Sequence, residues 1–535
     1  MYKNVRYKSV IFAVFLISAL FGFSPAEAQF SPNAQLRTRT ELRDGYGNLV
    51  LSDAKKAAFI SQRTRLNFGY KWDLLSFGAS VQDIRVWGAD ASTISTADGN
   101  RFMLHEGWAE LTLANKADTN IKFKLVDQLS LKIGRQELIY DDSRLIGNLD
   151  WLQQARQHDM ALLKIMHHGW QADLAYAFNQ NSDAASVTNT NYVPGNLPAY
   201  VKNSLGTLVP LPAGLVPLAA GGSTVNNSSK SGTPVYSNPP GTNGATQNYK
   251  SFGSLYLSRK FNQTKVSALL FNDNFGRYKL DSAGSLTTGY VYGRRFVPSS
   301  PADTFDYGIN NRYTYGLMIS PTFGNASGFG KIAVQAAYYH QSGDDRDGNT
   351  MNAFHYSIAA TYQKGLFSIT PGYDVLSGTK TTDLASSKNN SFDPLYGTPH
   401  KFWGYMDYFY AGSGSPKGGL NNPYIKFKYT ANTFALGLDL HYFGLNQDMK
   451  KADGTLIGKN LGKEADLQLS YNMNKFTNIE LGYSLMKATS NMPYAKAQAT
   501  NDVTAASFDK TGTWAYLILK FTPDFFYSKP LAIKQ

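Results

Sequence analysis

The chain has 535 residues, 43% of them hydrophobic and 14% aromatic, no cysteine, and a formal net charge of +13 from 52 Lys and Arg against 39 Asp and Glu. The missing thiol excludes a disulfide scaffold and any zinc–thiolate centre, and the aromatic content excludes disorder along the whole chain. After the first thirty or so residues no apolar run approaches the roughly 18 residues that a membrane helix needs, which excludes a helical membrane protein and leaves a large β-rich domain.

Lys3, Arg6 and Lys8 precede an apolar run over residues 10–23, and Ala26-Glu27-Ala28 supplies the small-x-small pattern that signal peptidase accepts. Residues 1–28 are therefore expected to be a signal peptide, too short in their apolar part for an anchor helix. Residues 29–535 then form the mature, exported chain. An exported chain does not ordinarily meet nucleic acid. The basic excess points instead to an anionic solute, an anionic polymer or lipid headgroups.

Along the mature chain the dominant signal is a period of two. Eighteen candidate strands start near Ala34, Phe59, Ser76, His105, Leu129, Met160, Trp170, Phe252, Thr264, Arg312, Lys331, Asn352, Leu366, Pro423, Phe434, Glu464, Phe476 and Thr513. Residues 434–443 are representative: Phe434, Leu436, Leu438, Leu440 and Tyr442 alternate with Ala435, Gly437, Asp439 and His441. Strands of about ten residues suit a tilted bilayer crossing. Several even-numbered strands end in tight turns such as His167-His168-Gly169 and Asn262-Gln263, whereas odd-numbered ones lead into longer polar stretches, the longest being 179–249, 274–311 and 377–422. Short turns on one rim and long loops on the other are the mark of an outer-membrane barrel. The expected fold is thus all-β, a transmembrane antiparallel up-and-down β-barrel of about 18 strands, with 16 as the alternative count and 402–410 left in a loop. Residues 29–535 are expected to form this single outer-membrane β-barrel domain, with long extracellular loops, in a Gram-negative envelope.

Energetics assigns the faces. In the first strand Arg37, Arg39, Glu41 and Arg43 share one parity. An arginine at the lipid midplane costs roughly 2–4 kcal/mol, so three of them outside would cost on the order of 10 kcal/mol. The charged parity must face the lumen. Arg63 and Arg65 repeat the pattern in the second strand, and Lys426 and Lys428 share a parity in the fourteenth. In the third strand Asp83 and Arg85 fall on the parity of Phe77 and Val81, which suggests a bulge near Gln82 that would turn them inward. Glu106 and Glu110 in the fourth strand bring acidic partners, so the lumen is expected to be wet and of mixed sign.

Between the fifth and sixth strands run Gly134-Arg135-Gln136-Glu137-Leu138, Arg144-Leu145-Ile146-Gly147, Asp150-Trp151 and Arg156-Gln157-His158-Asp159. These GRQEL, RLIG-x-x-DW and R-x-x-D stretches resemble the alginate-export family of outer-membrane barrels. The early RTRTELR and QRTRL strands, the TPHKFWGYMDYF segment and the closing TWAYLILKF extend the resemblance in order along most of the mature chain. The resemblance implies an eighteen-stranded monomeric barrel with a basic lumen that conducts a polyuronate. Carried over by motif, Arg135, Arg144 and Arg156 belong to a constriction, with Arg37, Arg39, Arg63 and Arg65 on the neighbouring wall. Guanidinium forks suit carboxylates because they pair bidentately, and a chain of weak sites lets a polyanion advance without being trapped. The continuation past the last strand, through residues 523–535, departs from barrels of this kind that end on an aromatic.

The candidate path-lining residues are therefore Arg37, Arg39, Arg43, Arg63, Arg65, Lys132, Arg135, Arg144, Arg156, Lys426 and Lys428. The competing reading treats alternating arginines and carboxylates as inter-strand ladders that only hold a polar interior together. Trp151 either packs in an infolded loop or stacks on sugar. Residues 343–349, GDDRDGN, lack the closing glutamate of an EF-hand and read as a hairpin tip. His167 and His168 have no companion ligands at metal spacing, residues 412–419 read as a glycine-rich loop, and no motif groups a nucleophile with a base. The expectation is a passive channel, not an enzyme, with no cofactor and no metal. Its partners would be an anionic polysaccharide or small anionic solute, outer-membrane lipid and periplasmic export proteins. A general or uptake porin with a mixed-charge lumen is the alternative, and a barrel lipase or protease the third class.

Overall fold

A computed structural model describes residues 28–88, 102–118, 123–179, 197–219, 233–235, 249–296, 308–325, 328–384, 386–411 and 416–526. The expected signal peptide, save Ala28, and the tail 527–535 lie outside the described residues.

A sheet that exposes one apolar face to lipid cannot leave its edges open there, because unpaired N–H and C=O groups find no water in the hydrocarbon. Eighteen antiparallel strands meet this demand by closing on themselves. They are β1 (Ala28–Asp44), β2 (Ala57–Trp72), β3 (Leu75–Val86), β4 (Phe102–Asn115), β5 (Gln128–Gln136), β6 (His158–His167), β7 (Trp170–Phe178), β8 (Ser251–Phe261) and β9 (Thr264–Gly276). The second half is β10 (Ile309–Asn325), β11 (Gly330–Asp344), β12 (Thr350–Lys364), β13 (Phe367–Leu376), β14 (Leu420–Thr430), β15 (Phe434–Gly444), β16 (Asn460–Asn474), β17 (Thr477–Ala488) and β18 (Thr511–Phe521). Each pairs with its sequence neighbours, and β1 pairs with both β2 and β18, with Arg39 opposite Ile518 at the seam. Every expected strand is present and in order, so the alternative of sixteen falls away.

The parities separate as the energetics require. Leu317, Ile358 and Leu481 point outward and are exposed, whereas Arg63, Asp273, Gln341 and Asp466 point inward and are buried. Aromatic rings gather at strand ends: Phe367, Tyr429 and Phe434 lie side by side at the short-turn rim, with ring centroids 4.8 and 5.5 Å apart. The two-residue turn after β8 places Asn262 at φ 51°, the left-handed region that a tight hairpin demands. The 343–349 tip is closed by Asp345, whose Oδ1 accepts the N–H of Asp347 and of Asn349, both at 2.8 Å, as a hairpin tip would be. Of the 412–419 glycine loop, residues 412–415 lie outside the described residues.

One expectation about the third strand is corrected. β3 pairs with β2 in unbroken register through Gln82, so Asp83 and Arg85 stay on the outward parity and pair with each other, at 2.6 Å. The extra residue belongs to β4 instead: register against β3 jumps between Ser80 and Val81, whose partners are Glu106 and Leu104.

Candidate functional site

Two long connections turn into the barrel. Residues 137–157, between β5 and β6, and 377–411, between β13 and β14, meet in the lumen as a short parallel pairing of Ile146 with Tyr396. The Tyr396 N–H donates to Leu145 O at 2.9 Å, Gly147 N–H to Tyr396 O at 3.0 Å and Thr398 N–H to Ser143 O at 2.8 Å. The approach is close enough to require Gly397, where an added Cβ would lie 1.9 Å from Arg144 O. Leu145, Ile146, Trp403, Met406 and Phe409 are buried with Phe252, Phe271 and Trp514 of the wall, so the long-loop half of the barrel holds an apolar core. Asp141, Ser143, Leu149 and Ala155 in the first segment, and Leu395, Asp407 and Tyr410 in the second, have positive φ. Such backbone strain persists only where surrounding contacts over-determine it.

Irregular chain inside a barrel leaves carbonyls without ladder partners, and the wall arginines supply the donors. Arg37 donates Nη1 to Asp150 O at 2.7 Å, Nη2 to Trp151 O at 3.2 Å and Leu152 O at 3.1 Å, and Nε to the Gln153 side chain at 3.0 Å. Arg39 donates to Trp151 O at 2.8 Å and to Glu41 at 2.8 Å, with its guanidinium 4.6 Å from the Trp151 ring centre. Glu41, fully buried, also accepts Arg43 Nε at 2.8 Å and Trp514 Nε1 at 3.0 Å. Arg63 bonds Gln35 and Gln153 O and sits 2.8 Å from Asp150 Oδ1. Burial works against the Asp150 carboxylate, but Arg63 and Arg37 outweigh it and hold its pKa below the usual range. Arg65 is taken up by Gln82, at 2.9 and 2.7 Å.

The infolded arginines are engaged too. Arg144 donates to Asp374 at 2.6 Å and to Asp142 at 3.2 Å, and Arg156 donates to Gly397 O at 2.6 Å. Trp151 stacks on His400 with centroids 4.0 Å apart and planes 9° apart, so it packs inside the infolded segment, the first of its two expected roles. Arg37, Arg39, Arg63 and Arg156 thus hold infolded backbone carbonyls, whereas Arg43 and Arg65 bond side chains of the wall.

Below this core lies a cavity of about 770 Å³. Its wall is largely small and hydroxylated, including Ser320, Thr322, Thr361, Ser368, Thr370 and Ser470, with Phe402, Tyr405 and Tyr424 at the infolded side. Lys401, Lys426 and Lys428 line it together with Asp439, Asp466 and Glu480. Lys426 is neutralised by Asp439 at 2.6 Å. Lys401 donates to Asp142 O at 3.0 Å, and burial pulls its pKa below the usual lysine range although Asp142 opposes the shift. Neither Lys401 nor Lys428 has an ion-pair partner among the described residues.

Arg135 is corrected. It shares the outward parity of Leu131 and Ile133 and forks onto Asp159 of β6, both bonds 2.8 Å, so it is outside the lumen. Lys132 is inward, its Nζ 3.8 Å from the Trp108 ring centre. The pattern missed Arg312 of β10, which forks onto Asp273, with Nε at 2.9 Å, and reaches Asp393 of the second infolded segment at 2.7 Å. Its signal is an arginine on the polar parity of a strand, the criterion applied to β1 and β2.

The infolded RLIG stretch, the GRQEL stretch that leads into it from β5, and the closed strand ring now have a place beside known proteins. Residues 26–191 match the alginate export family. The match takes in β1 to β7 and the first infolded segment, less than half of the chain. No curated protein matches the sequence. Solved structures share the barrel: Pseudomonas aeruginosa OpdQ superposes with a TM-score of 0.50 at 12% identity over 93% of this chain and 98% of its own. Acinetobacter baumannii OccAB1 gives 0.52 at 12% identity over 93% and 97%, and P. aeruginosa OccK8 (OprE) gives 0.51 at 11% over 93% and 98%. At such identities the likeness is one of fold. With the alginate-export match it makes the chain an outer-membrane channel barrel of the Gram-negative envelope.

Proposed function

We propose that this alginate-export-like barrel is a passive channel for small anionic, carboxylate-bearing solutes. The observation that carries the reading is the cavity lined by Lys401 and Lys428, cations without carboxylate partners among the described residues, while most of the expected arginines are spent on carbonyls and carboxylates. A carboxylate entering from the short-turn side meets these two ammonium groups, with Lys426 balanced by Asp439. Hydroxyl-bearing walls replace part of its hydration, and the flanking Asp466 and Glu480 keep the binding weak enough for release. No step of chemistry is needed.

A second reading, export of a polyuronate, is favoured by the match over 26–191 and by the infolding of the segment between β5 and β6, onto which Arg37, Arg39 and Arg63 converge. Single-channel recording in planar bilayers separates the two. Replacing Lys401 and Lys428 together with glutamine is expected to move the reversal potential toward cation preference and to weaken block by mono- and diuronates. Unchanged selectivity would overturn the small-anion reading. Block by long polyuronates alone, with short ones inert, would favour export.

A further inference from the structure

The wall beside the first infolded segment carries a group of side chains that conduction does not use. His105 and Glu106 are consecutive in β4, and consecutive strand residues ordinarily face opposite sides. Here the extra residue of β4 falls at His105, between the partners of Ser80 and Val81, and both side chains reach one place. Glu137, directly after β5, meets them there.

His105 Nε2 lies 2.9 Å from Glu137 Oε1, and the Glu137 N–H donates to Glu106 Oε1 at 3.1 Å. One ligand atom from each of His105, Glu106 and Glu137 lies within 4.8 Å of the other two. His105 is fully buried, and its Nδ1 has no hydrogen-bond partner among the described residues. Asn148, from the same infolded segment, donates to Glu137 Oε2 at 2.7 Å and so fixes the carboxylate from behind.

We propose that His105, Glu106 and Glu137 bind one divalent transition-metal ion of the Zn²⁺ class, which clips the start of the infolded segment to β4. One imidazole nitrogen and two carboxylate oxygens are a donor set for a borderline cation. Bonds of about 2.0–2.2 Å place tetrahedral ligand atoms roughly 3.3–3.6 Å apart, within reach of a small side-chain rotation from the present spacing. The ion would take over the contact between His105 and Glu137, with water from the lumen completing its coordination. Arg65, whose Nη1 is 4.0 Å from Glu137 Oε1, works against a second cation, so the site binds more weakly than a closed structural zinc centre. The inference is independent of what the channel conducts.

The test is calorimetric titration of ZnCl₂ into the chelator-stripped full chain in detergent. One equivalent is expected to bind, with affinity at least tenfold weaker in His105→Ala and in Glu106→Gln. Retained heat-modifiable gel mobility establishes that each variant is folded. If His105→Ala fails to fold, Glu106→Gln decides alone. The adjacent His167 and His168 rings, 4.0 Å apart in a turn, are the competing zinc ligands, so a double His167→Ala, His168→Ala variant must keep the equivalent. Absence of binding by the wild type, binding undiminished in the site variants, or binding lost in the double variant would each overturn the proposal.

Discussion

Replacing Arg37 with alanine separates a guanidinium that holds an infolded segment from one that lines a path. The side chain supplies the donors for Asp150 O and Leu152 O, shares Trp151 O with Arg39, and is 6% exposed. Asp150 keeps Arg63 as its ion partner, at 2.8 Å, so the loss falls mainly on two carbonyls. A buried acceptor left without a donor costs about 1–3 kcal/mol, and these two part-buried carbonyls take the lower half of that range. The docked state of 150–153 therefore loses on the order of 3 kcal/mol, roughly a hundredfold in its balance with undocked states. The barrel wall itself keeps every ladder bond of β1. Arg37→Ala is expected to give a larger and noisier single-channel conductance in planar bilayers, with unchanged heat-modifiable mobility. Unchanged conductance with a weaker anion preference would refute the reasoning, since it would make Arg37 a path residue.

Arg135→Gln should leave the reversal potential where it is, because the side chain forks outward onto Asp159 with both partners well exposed; a stability change under about 1 kcal/mol is expected from chemical denaturation. Gly397→Ala should reproduce the noisy conductance of Arg37→Ala, since its Cβ would stand 1.9 Å from Arg144 O and force the two infolded segments apart. Lys496, beyond β17, is half-buried, and desolvation lowers its pKa to about 7 although Asp407 opposes the shift. The folded form then binds fewer protons than the unfolded chain between pH ~7 and ~10.4, so stability rises with pH across that window and levels off below it. Thermal unfolding at pH 7 and pH 9.5 checks this, and Lys496→Met should flatten the difference.

The strand order was readable because lipid punishes every misplaced charge: a one-residue slip of β1 would put Arg37, Arg39 and Arg43 into acyl chains. Arg135 shares the parity of Leu131 and Ile133, a signal in the sequence that goes unweighed when the motif resemblance draws it inward. The bulge was harder. Asp83 and Arg85 looked misplaced only on the assumption that they lie within the apolar band, whereas they sit at the strand's far end, where the rim is wet and a carboxylate–guanidinium pair is tolerated. What alternation cannot carry is the fate of the long connections. Nothing periodic marks 377–411 as infolded, and its aromatics find Phe252 and Phe271 only through the closed ring.

Those connections change what a luminal arginine means. A guanidinium offers five donors in a rigid fork and no acceptor, and an infolded segment offers stranded carbonyls, so the two satisfy each other as readily as an arginine satisfies a passing carboxylate. Arg37 does this at Asp150, Trp151 and Leu152, and Arg156 at Gly397. A row of arginines on strands that face a long loop is therefore as much a mark of a docked plug as of an anion path. On the proposed reading, the charge left to act on a solute belongs to cations without a carboxylate partner among the described residues, Lys401 of the infolded segment and Lys428 of the wall. Lys428 lies toward the short-turn end of β14 and lines the cavity. If the proposed function holds, Arg37→Ala changes conductance while the double substitution of Lys401 and Lys428 by glutamine changes ion preference, and the two effects separate.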